Sequence, residues 1–283
     1  MNLYYETREV LRRCNITANK QLGQNFLIDE DVVLGIVNTA KIESDDLVIE
    51  IGPGLGTLTK ELLKKAKKVI CVELDKRMIS ILKDRFAKYN LEIINDDILK
   101  VNLKEIIKQN KKEGIKHVKI VANLPYYITT PIIMKLLEDR LDIESITVMI
   151  QKEVAERLTV TPGSGDTGAI TYAISYYTNP SLVLGVPKES FIPAPEVESS
   201  VIKLEVLEKP SVEVENEELF FKIIKMAFMQ KRKTLLNSLT NGNLLDSKEK
   251  IEKMLLDLNI DVKIRPEKLK LEEFAKICNI KWI

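Results

Sequence analysis

The sequence predicts an α/β protein in which a parallel sheet is covered by helices on both faces and followed by a small all-helical C-terminal domain. Three observations predict it. Short, near-continuous apolar runs recur between Leu47 and Ile150, segments of helical periodicity separate them, and beyond Lys209 the strand-like runs stop while amphipathic helical patterns continue. A chain of 283 residues suits one large α/β domain with an appendage, and we divide it into domains at 1–208 and 209–283.

The elements follow in order. The start of the chain holds Arg8, Arg12, Arg13 and Lys20 against Glu6 and Glu9, and reads as a basic arm or short helix, either solvated or in contact with nucleic acid. Asp29 is placed to cap a helix along Val32, Val33, Ile36, Val37 and Ala40. Strands at 47–51, 69–73, 91–94, 118–122 and 146–150 then alternate with helices at 55–66, 76–88, a lysine-rich stretch, and a segment after Pro131. After Gly168 comes a helix bearing Tyr172, Tyr176 and Tyr177. Two close strands at 182–184 and 201–206 suggest an antiparallel hairpin at one end of the sheet. Amphipathic helices around 219–228, 251–258 and 271–277 complete the C-terminal domain.

Composition narrows the function. Hydrophobic residues at 45% and charged residues at 30% describe a folded protein, and a net charge of +1 requires any basic surface to be local. No apolar run reaches the roughly 18 residues of a membrane span, and the polar start lacks a signal-peptide pattern, so a cytoplasmic location away from membranes is expected. Cys14, Cys71 and Cys278 form no CxxC pair and are expected to be buried apolar residues. His117 is the single histidine, so metal-dependent hydrolysis and histidine-based nucleophilic catalysis are disfavoured and no metal is expected.

The chemistry concentrates at strand ends. Glu50-Ile51-Gly52-Pro53-Gly54-Leu55-Gly56 closes the first strand and opens a helix, where missing side chains let the backbone approach a ligand. Its GxGxG spacing departs from GxGxxG, and no Gly-Lys-Ser/Thr follows, which disfavours dinucleotides and ATP. Glu73 ends the second strand, where an acid accepts hydrogen bonds from ribose hydroxyls; Asp97 follows the third, placed to accept from an adenine amino group. Each acid alone reads as solvated; together they point to a ligand with ribose and adenine but no phosphate, S-adenosylmethionine. Asn123-Leu124-Pro125-Tyr126 follows the fourth strand. As a turn it needs no function. As chemistry, the Asn123 side-chain oxygen and the Leu124 carbonyl can accept the two hydrogens of an adenine N6, freeing its lone pair, while Tyr126 stacks on the base. Phe191, on the proline-stiffened loop Phe191-Ile192-Pro193-Ala194-Pro195-Glu196-Val197, either packs or sandwiches that base from the other side.

Taken in order, these motifs resemble the small-subunit (16S) ribosomal RNA adenine N6,N6-dimethyltransferase family of the kasugamycin-resistance type. The resemblance also takes in Gly23-Gln24-Asn25-Phe26-Leu27, Asp96-Asp97, Tyr127-Ile128, 151–157 and 228–235, nearly the whole chain. It implies a Rossmann-like, S-adenosylmethionine-dependent methyltransferase sheet and dimethylation of two adjacent adenosines in the 3′-terminal hairpin of 16S ribosomal RNA, with a role in small-subunit biogenesis. Cofactor contacts then fall on Asn25, Leu27, Gly52, Glu73, Asp97 and Asn123, with Gly54 beside them, and the catalytic loop on Asn123, Leu124, Pro125 and Tyr126. Asp97 is preferred over Asp96 because the family's acid directly precedes an apolar residue, here Ile98. The helical domain would bind the RNA of the small ribosomal subunit, through Lys231, Arg232 and Lys233 at a helix end and with help from the basic arm. A monomer is expected.

Three rivals remain. The macrolide-resistance methyltransferases of 23S ribosomal RNA share the chemistry, but Leu124 and the loop at 163–169 resemble the small-subunit enzymes more closely. A DNA adenine methyltransferase would need a target-reading domain for which few residues remain. A noncatalytic assembly or transcription factor on the same fold would not need the intact glycine loop and Asn123.

Overall fold

The computed structural model describes residues 2–230 and 232–280. In chain order its first elements are α1 (Leu3–Arg13), β1 (Phe26–Leu27), α2 (Glu30–Thr39), β2 (Leu47–Ile51), α3 (Thr57–Leu62), β3 (Lys68–Val72), α4 (Lys76–Arg85) and β4 (Leu91–Ile94). Then come α5 (Leu103–Lys111), β5 (Val118–Asn123), α6 (Thr129–Glu138), β6 (Ser145–Gln151), α7 (Lys152–Thr159), α8 (Ala169–Tyr177), β7 (Thr178–Val186), β8 (Phe191–Ile192) and β9 (Ser199–Val206). The remaining helices are α9 (Glu217–Phe228), α10 (Leu235–Asn241), α11 (Lys248–Asp257) and α12 (Leu271–Cys278). No helix among the described residues is long and apolar enough to cross a membrane.

The chain forms two compact units. One is built from the residues up to Ala155 together with Ser181–Val206, the other from Glu156–Pro180 together with the chain from Leu207 onward. The first unit centres on a sheet in the order β4-β3-β2-β5-β6-β9-β7. Strands β2 to β6 pair in parallel, and β9 runs antiparallel to β6. The two late strands therefore lie at one end of the sheet, as their spacing suggested. From β2 the chain steps outward through β3 to β4, and from β5 it steps the other way to β6. The switch point falls between those two strands, which is where open α/β sheets leave a crevice for ligands. Ile51 of β2 is level with Ala122 of β5, so the next residues, Gly52 and Asn123, flank that crevice.

Local chemistry sets the element ends. The Asp29 carboxylate accepts from the backbone N–H groups of Asp31 (3.1 Å) and Val32 (3.3 Å), capping α2 as expected. Its apolar stripe, Val32, Val33, Ile36 and Val37, meets Val48, Val69, Val121 and Met149 of the sheet in one buried cluster. Helix α6 begins two residues before Pro131, which the first helical turn tolerates because its N–H would lack a partner there anyway. Helix α3 is shorter than its periodicity suggested: the glycine loop occupies the positions up to Gly56, and the helix gives way to turns after Leu62. Cys14, expected inside, is exposed: it caps α1, whose inward face carries Thr7.

The second unit is helical. The sequence-based division at 208/209 counted α8 with the sheet, but its rings group elsewhere. Tyr172 lies 5.0 Å from Phe274 and 5.3 Å from Phe228, and Tyr176 and Tyr177 stack around Phe220 and Phe221, centroid to centroid. The buried Tyr172 hydroxyl also lies within hydrogen-bond distance of the carbonyls of Leu269 (2.7 Å) and Pro266 (3.0 Å). The aromatic face of α8 is what joins 156–180 to the later helices.

Gly56 shows how tightly the glycine loop is packed. It sits at φ +82°, and a Cβ there would come within 2.5 Å of the Phe86 ring and 2.9 Å of Leu82. We expect Gly56→Ala to cost roughly 2–4 kcal/mol, the sum of left-handed backbone strain and overpacking. Urea denaturation checks this; a loss under about 0.5 kcal/mol would show that α4 yields freely.

Candidate active site

A cavity opens over the carboxyl ends of β2, β3 and β5. The glycine loop, Glu73, Asp96 to Ile98, and Asn123 to Ile128 form most of its wall, and Leu22 to Leu27 of the N-terminal arm complete it. Of the residues expected to hold cofactor, Asn25, Leu27, Gly52, Gly54, Glu73, Asp97 and Asn123 all line this one cavity, as do Leu124, Pro125 and Tyr126 of the expected catalytic loop. Gly52 sits at φ +66°, and a Cβ built there would meet no atom within 4 Å. Backbone conformation alone calls for glycine, and the space beside it is open to a ligand.

The acids are held by the loops they face. Glu73 is buried, and its carboxylate accepts from the backbone N–H of Asp75 (2.8 Å) and of Gly54 (3.1 Å), which ties β3 to the glycine loop. Burial raises its pKa. Asp97 is half-buried and its carboxylate accepts from the Leu99 N–H at 3.0 Å, whereas Asp96 is exposed and holds the Asp97 N–H at 2.7 Å. Both line the cavity.

Asn123 has a fixed amide. Its Nδ2 donates to the backbone carbonyl of Asn25 at 3.2 Å. A carbonyl only accepts, so the nitrogen must face it, leaving Oδ1 as an acceptor. Leu124 is buried, with its N–H on the Met149 carbonyl (3.1 Å), while Thr129 Oγ1 and the Ile128 N–H bond to the Pro125 carbonyl. Tyr126 is half-buried, and its hydroxyl shares a 2.7 Å hydrogen bond with Ser199 Oγ that anchors the ring; burial raises its pKa.

Phe191 lies elsewhere than a base-sandwiching role requires. It does not line the cavity. It belongs to β8, level with Leu27 of β1, and at 3% exposure it packs in the core with Leu27 and Val33. Its packing role follows from the antiparallel pair that seats the arm.

The arm is docked rather than free. Glu6 pairs with Lys60 (3.2 Å) and with Arg85, and Phe26 packs with Leu55, Met78 and Ile81 beside Val10 and Leu11. The Gln24 side chain donates to Asp75 (2.9 Å) and accepts from the Asn19 N–H (2.9 Å). Asp75 also caps α4 and holds the Arg77 guanidinium, which keeps its carboxyl below the usual range. Arg8, Arg12 and Arg13 remain exposed, Arg13 paired with Glu9 at 2.5 Å and Arg8 bonded to the Tyr4 hydroxyl. The side chain of Lys20 lies outside the described residues, as does Lys231. Arg232 and Lys233 are exposed, but not at a helix end: α9 stops at Phe228, and they occupy the turn before α10. Two cavity residues escaped sequence reasoning. Gln24 lies within the Gly23–Leu27 motif with no signal of its own, and Glu50 carries one signal, a charge inside an otherwise apolar strand. Glu50 is 1% exposed, accepts from the Thr59 hydroxyl at 2.6 Å, and has its pKa pushed up to about 7 by burial.

Residues 15–282 match the family model described as ribosomal RNA adenine dimethylase. The chain belongs to that family. It is 46% identical over 275 residues to the ribosomal RNA small subunit methyltransferase A of Alkaliphilus oremlandii, covering 97% of this chain and 95% of the relative. A dimethyladenosine transferase of Plasmodium falciparum matches with a TM-score of 0.74 and 30% identity, over 89% of this chain and 95% of that one. A 23S ribosomal RNA methyltransferase shares the fold, with a TM-score of 0.68 at 24% identity over 89% of this chain and 98% of its own. The dimethylase fold is thus the Rossmann-like methyltransferase sheet that the strand order displays.

If Phe191 packs in the dimethylase core, Phe191→Ala should cost about 3–5 kcal/mol of stability. Methylation per folded molecule should hold near wild type at low temperature. A slow methylation step in a variant of normal stability would restore the base-stacking role.

Proposed function

We propose that this dimethylase transfers methyl groups from S-adenosylmethionine to N6 of two adjacent adenosines in the 3′-terminal hairpin of 16S ribosomal RNA. It would act in the cytoplasm as a monomer, on RNA within the small ribosomal subunit. The observation that carries the chemistry is the Asn123 amide, fixed by the Asn25 carbonyl so that its oxygen is the group left to accept from a substrate.

The cavity fits the cofactor. Its charged wall residues are Glu50, Glu73, Asp96 and Asp97, with no Lys, Arg or His among the described lining residues, which suits a ligand that is cationic and lacks phosphate. Glu73 would hold the ribose hydroxyls, Asp97 the adenine amino group, and the backbone of Gly52, Gly54, Asn25 and Leu27 the remainder. When bound, S-adenosylmethionine supplies a methyl group on a sulfonium.

The protein's own work is on the amine. Adenine N6 is a weak nucleophile because its lone pair is delocalised into the ring. Asn123 Oδ1 and the Leu124 carbonyl each accept one N6 hydrogen, which favours a pyramidal nitrogen with its lone pair free. Tyr126, held by Ser199, stacks on the base, worth about 1–3 kcal/mol. Once methylated, the nitrogen is acidic enough to give its proton to solvent, so the site needs no strong base. Acceleration comes from positioning and from water exclusion by the arm and catalytic loop.

Asn123→Ala should lower single-turnover methylation by roughly a hundredfold or more while RNA affinity stays within about twofold. Unimpaired turnover would remove Asn123 from the chemistry. Comparing tritiated methyl transfer to unmethylated small subunits, large subunits and DNA tests the substrate, with incorporation expected in the first alone.

The helical unit would supply RNA backbone contacts. Replacing Arg232 and Lys233 by Ala should weaken small-subunit binding and reduce its log–log salt slope by about 1–2, leaving cofactor affinity unchanged. An unaltered slope would return both to the role of solvated turn residues.

A further inference from the structure

We propose that Glu50 is the counter-charge of the cavity, recognising the positive charge of the methyl donor so that the site holds the sulfonium more tightly than the thioether left after transfer. This rests on the reading that the cavity takes S-adenosylmethionine. Glu73 and Asp97 are asked to hold the ribose and adenine, which donor and thioether have in common. Glu50 is the one buried carboxylate of the wall without such a task.

Its surroundings lack a cation. Glu50 lies at the end of β2, directly before the glycine loop, buried yet on the cavity wall. Helix α3 offers it the Thr59 hydroxyl, at 2.6 Å. Strand β3 offers the Cys71 thiol, at 3.5 Å, with Glu73 just beyond that strand, and β5 presents Val121 level with it. Among the described residues no Lys, Arg or His pairs with it. Carboxylates this deeply buried are ordinarily matched by a positive partner. Thr59 and Cys71 do not offset the burial, since the carboxyl titrates near 7 and a second acid, Glu73, pushes the same way. The missing partner is a cation, and the cavity beside Glu50 is where one arrives.

Charge coupling makes this measurable. A cation beside Glu50 favours its ionised form, so near neutrality the donor should displace a proton on binding. The thioether has the same adenosine and amino-acid groups but lacks the sulfonium charge, so it should displace less. Their affinity ratio cancels the shared contacts, and its change on neutralising Glu50 isolates the charge from the methyl group's packing.

The test is titration calorimetry of the full chain with S-adenosylmethionine and S-adenosylhomocysteine, between about pH 6 and 8, in buffers of different ionisation heat. Glu50→Gln should weaken the donor about tenfold and the thioether less than about threefold, and Glu50→Asp should keep part of the preference. The wild type should release more protons with donor than with thioether at about pH 7, and donor affinity should rise with pH in the wild type relative to E50Q. An unchanged donor-to-thioether ratio in E50Q, or equal proton release for both ligands, overturns the proposal. Failure of both ligands to bind the wild type overturns the cofactor reading itself.

Thermal melts check the fold of the variant. A carboxyl raised from 4.5 to about 7 contributes stability that is present below pH 4.5 and lost as pH climbs through 7. E50Q should abolish that loss and melt at or above the wild type at about pH 8. Should it fail to fold, proton release by the wild type decides alone.

Discussion

The parallel pairing of β2 with β5 is the constraint on which the rest of this site depends. These strands are far apart in sequence and adjacent in space, and their register puts Gly52 and Asn123 across one crevice. Everything the two loops do follows from that adjacency. The glycine loop clears the floor, Glu73 grips the loop from β3, and Asn123 stands at the opposite wall. Had β3 followed β2 into that place, the crevice would have closed. The antiparallel β9 at the far end extends the sheet without disturbing it, and its first residue, Ser199, reaches back to steady Tyr126.

Most of the sheet was legible in the sequence because its strands are buried on both faces and read as unbroken apolar runs. The site residues at strand ends were legible for a related reason. Glu73, Asp97 and Asn123 each interrupt or end such a run where the chain turns, so local pattern fixes their place. What escaped depends on partners distant in sequence. Nothing near Phe191 says that Leu27 will lie beside it, and a proline loop reads equally well as a binding loop. The grouping of α8 with the late helices turned on phenylalanines some fifty to a hundred residues further on, where periodicity reports only that a face is apolar. Glu50 was visible as a charge in an apolar strand, but whether it is paired is a fact of three dimensions.

Charge is used sparingly and locally. The chain is almost neutral, yet the cavity wall is acidic, while arginines lie exposed on α1 and a basic turn follows α9. A nearly balanced total therefore says little about ligands of either sign. On the proposed function the acidic cavity and the basic surfaces would answer to different molecules, a small cation and a polyanion, which a net value averages away.

The arm has one more consequence, for the order in which the molecule assembles. Phe26 and Leu27 pair with Ile192 and Phe191, the Ile28 N–H bonds to the Ser190 carbonyl, and Ser190 Oγ donates to Asp29. These partners are made long after the arm has left the ribosome that synthesises it. The rest of the arm finds partners between Leu55 and Asn123, but β1 must wait, with the hydrophobic seat of Leu27 incomplete, until nearly all of the first unit has emerged. Closing so long a loop costs entropy that the buried pair, its core neighbours and the Ser190 hydrogen bonds return. The seam of β1 with β8 is thus among the last parts of the first unit to be secured, and a nascent chain cut off before Phe191 has the glycine loop and Asn123 but no β8 strand to pair with β1.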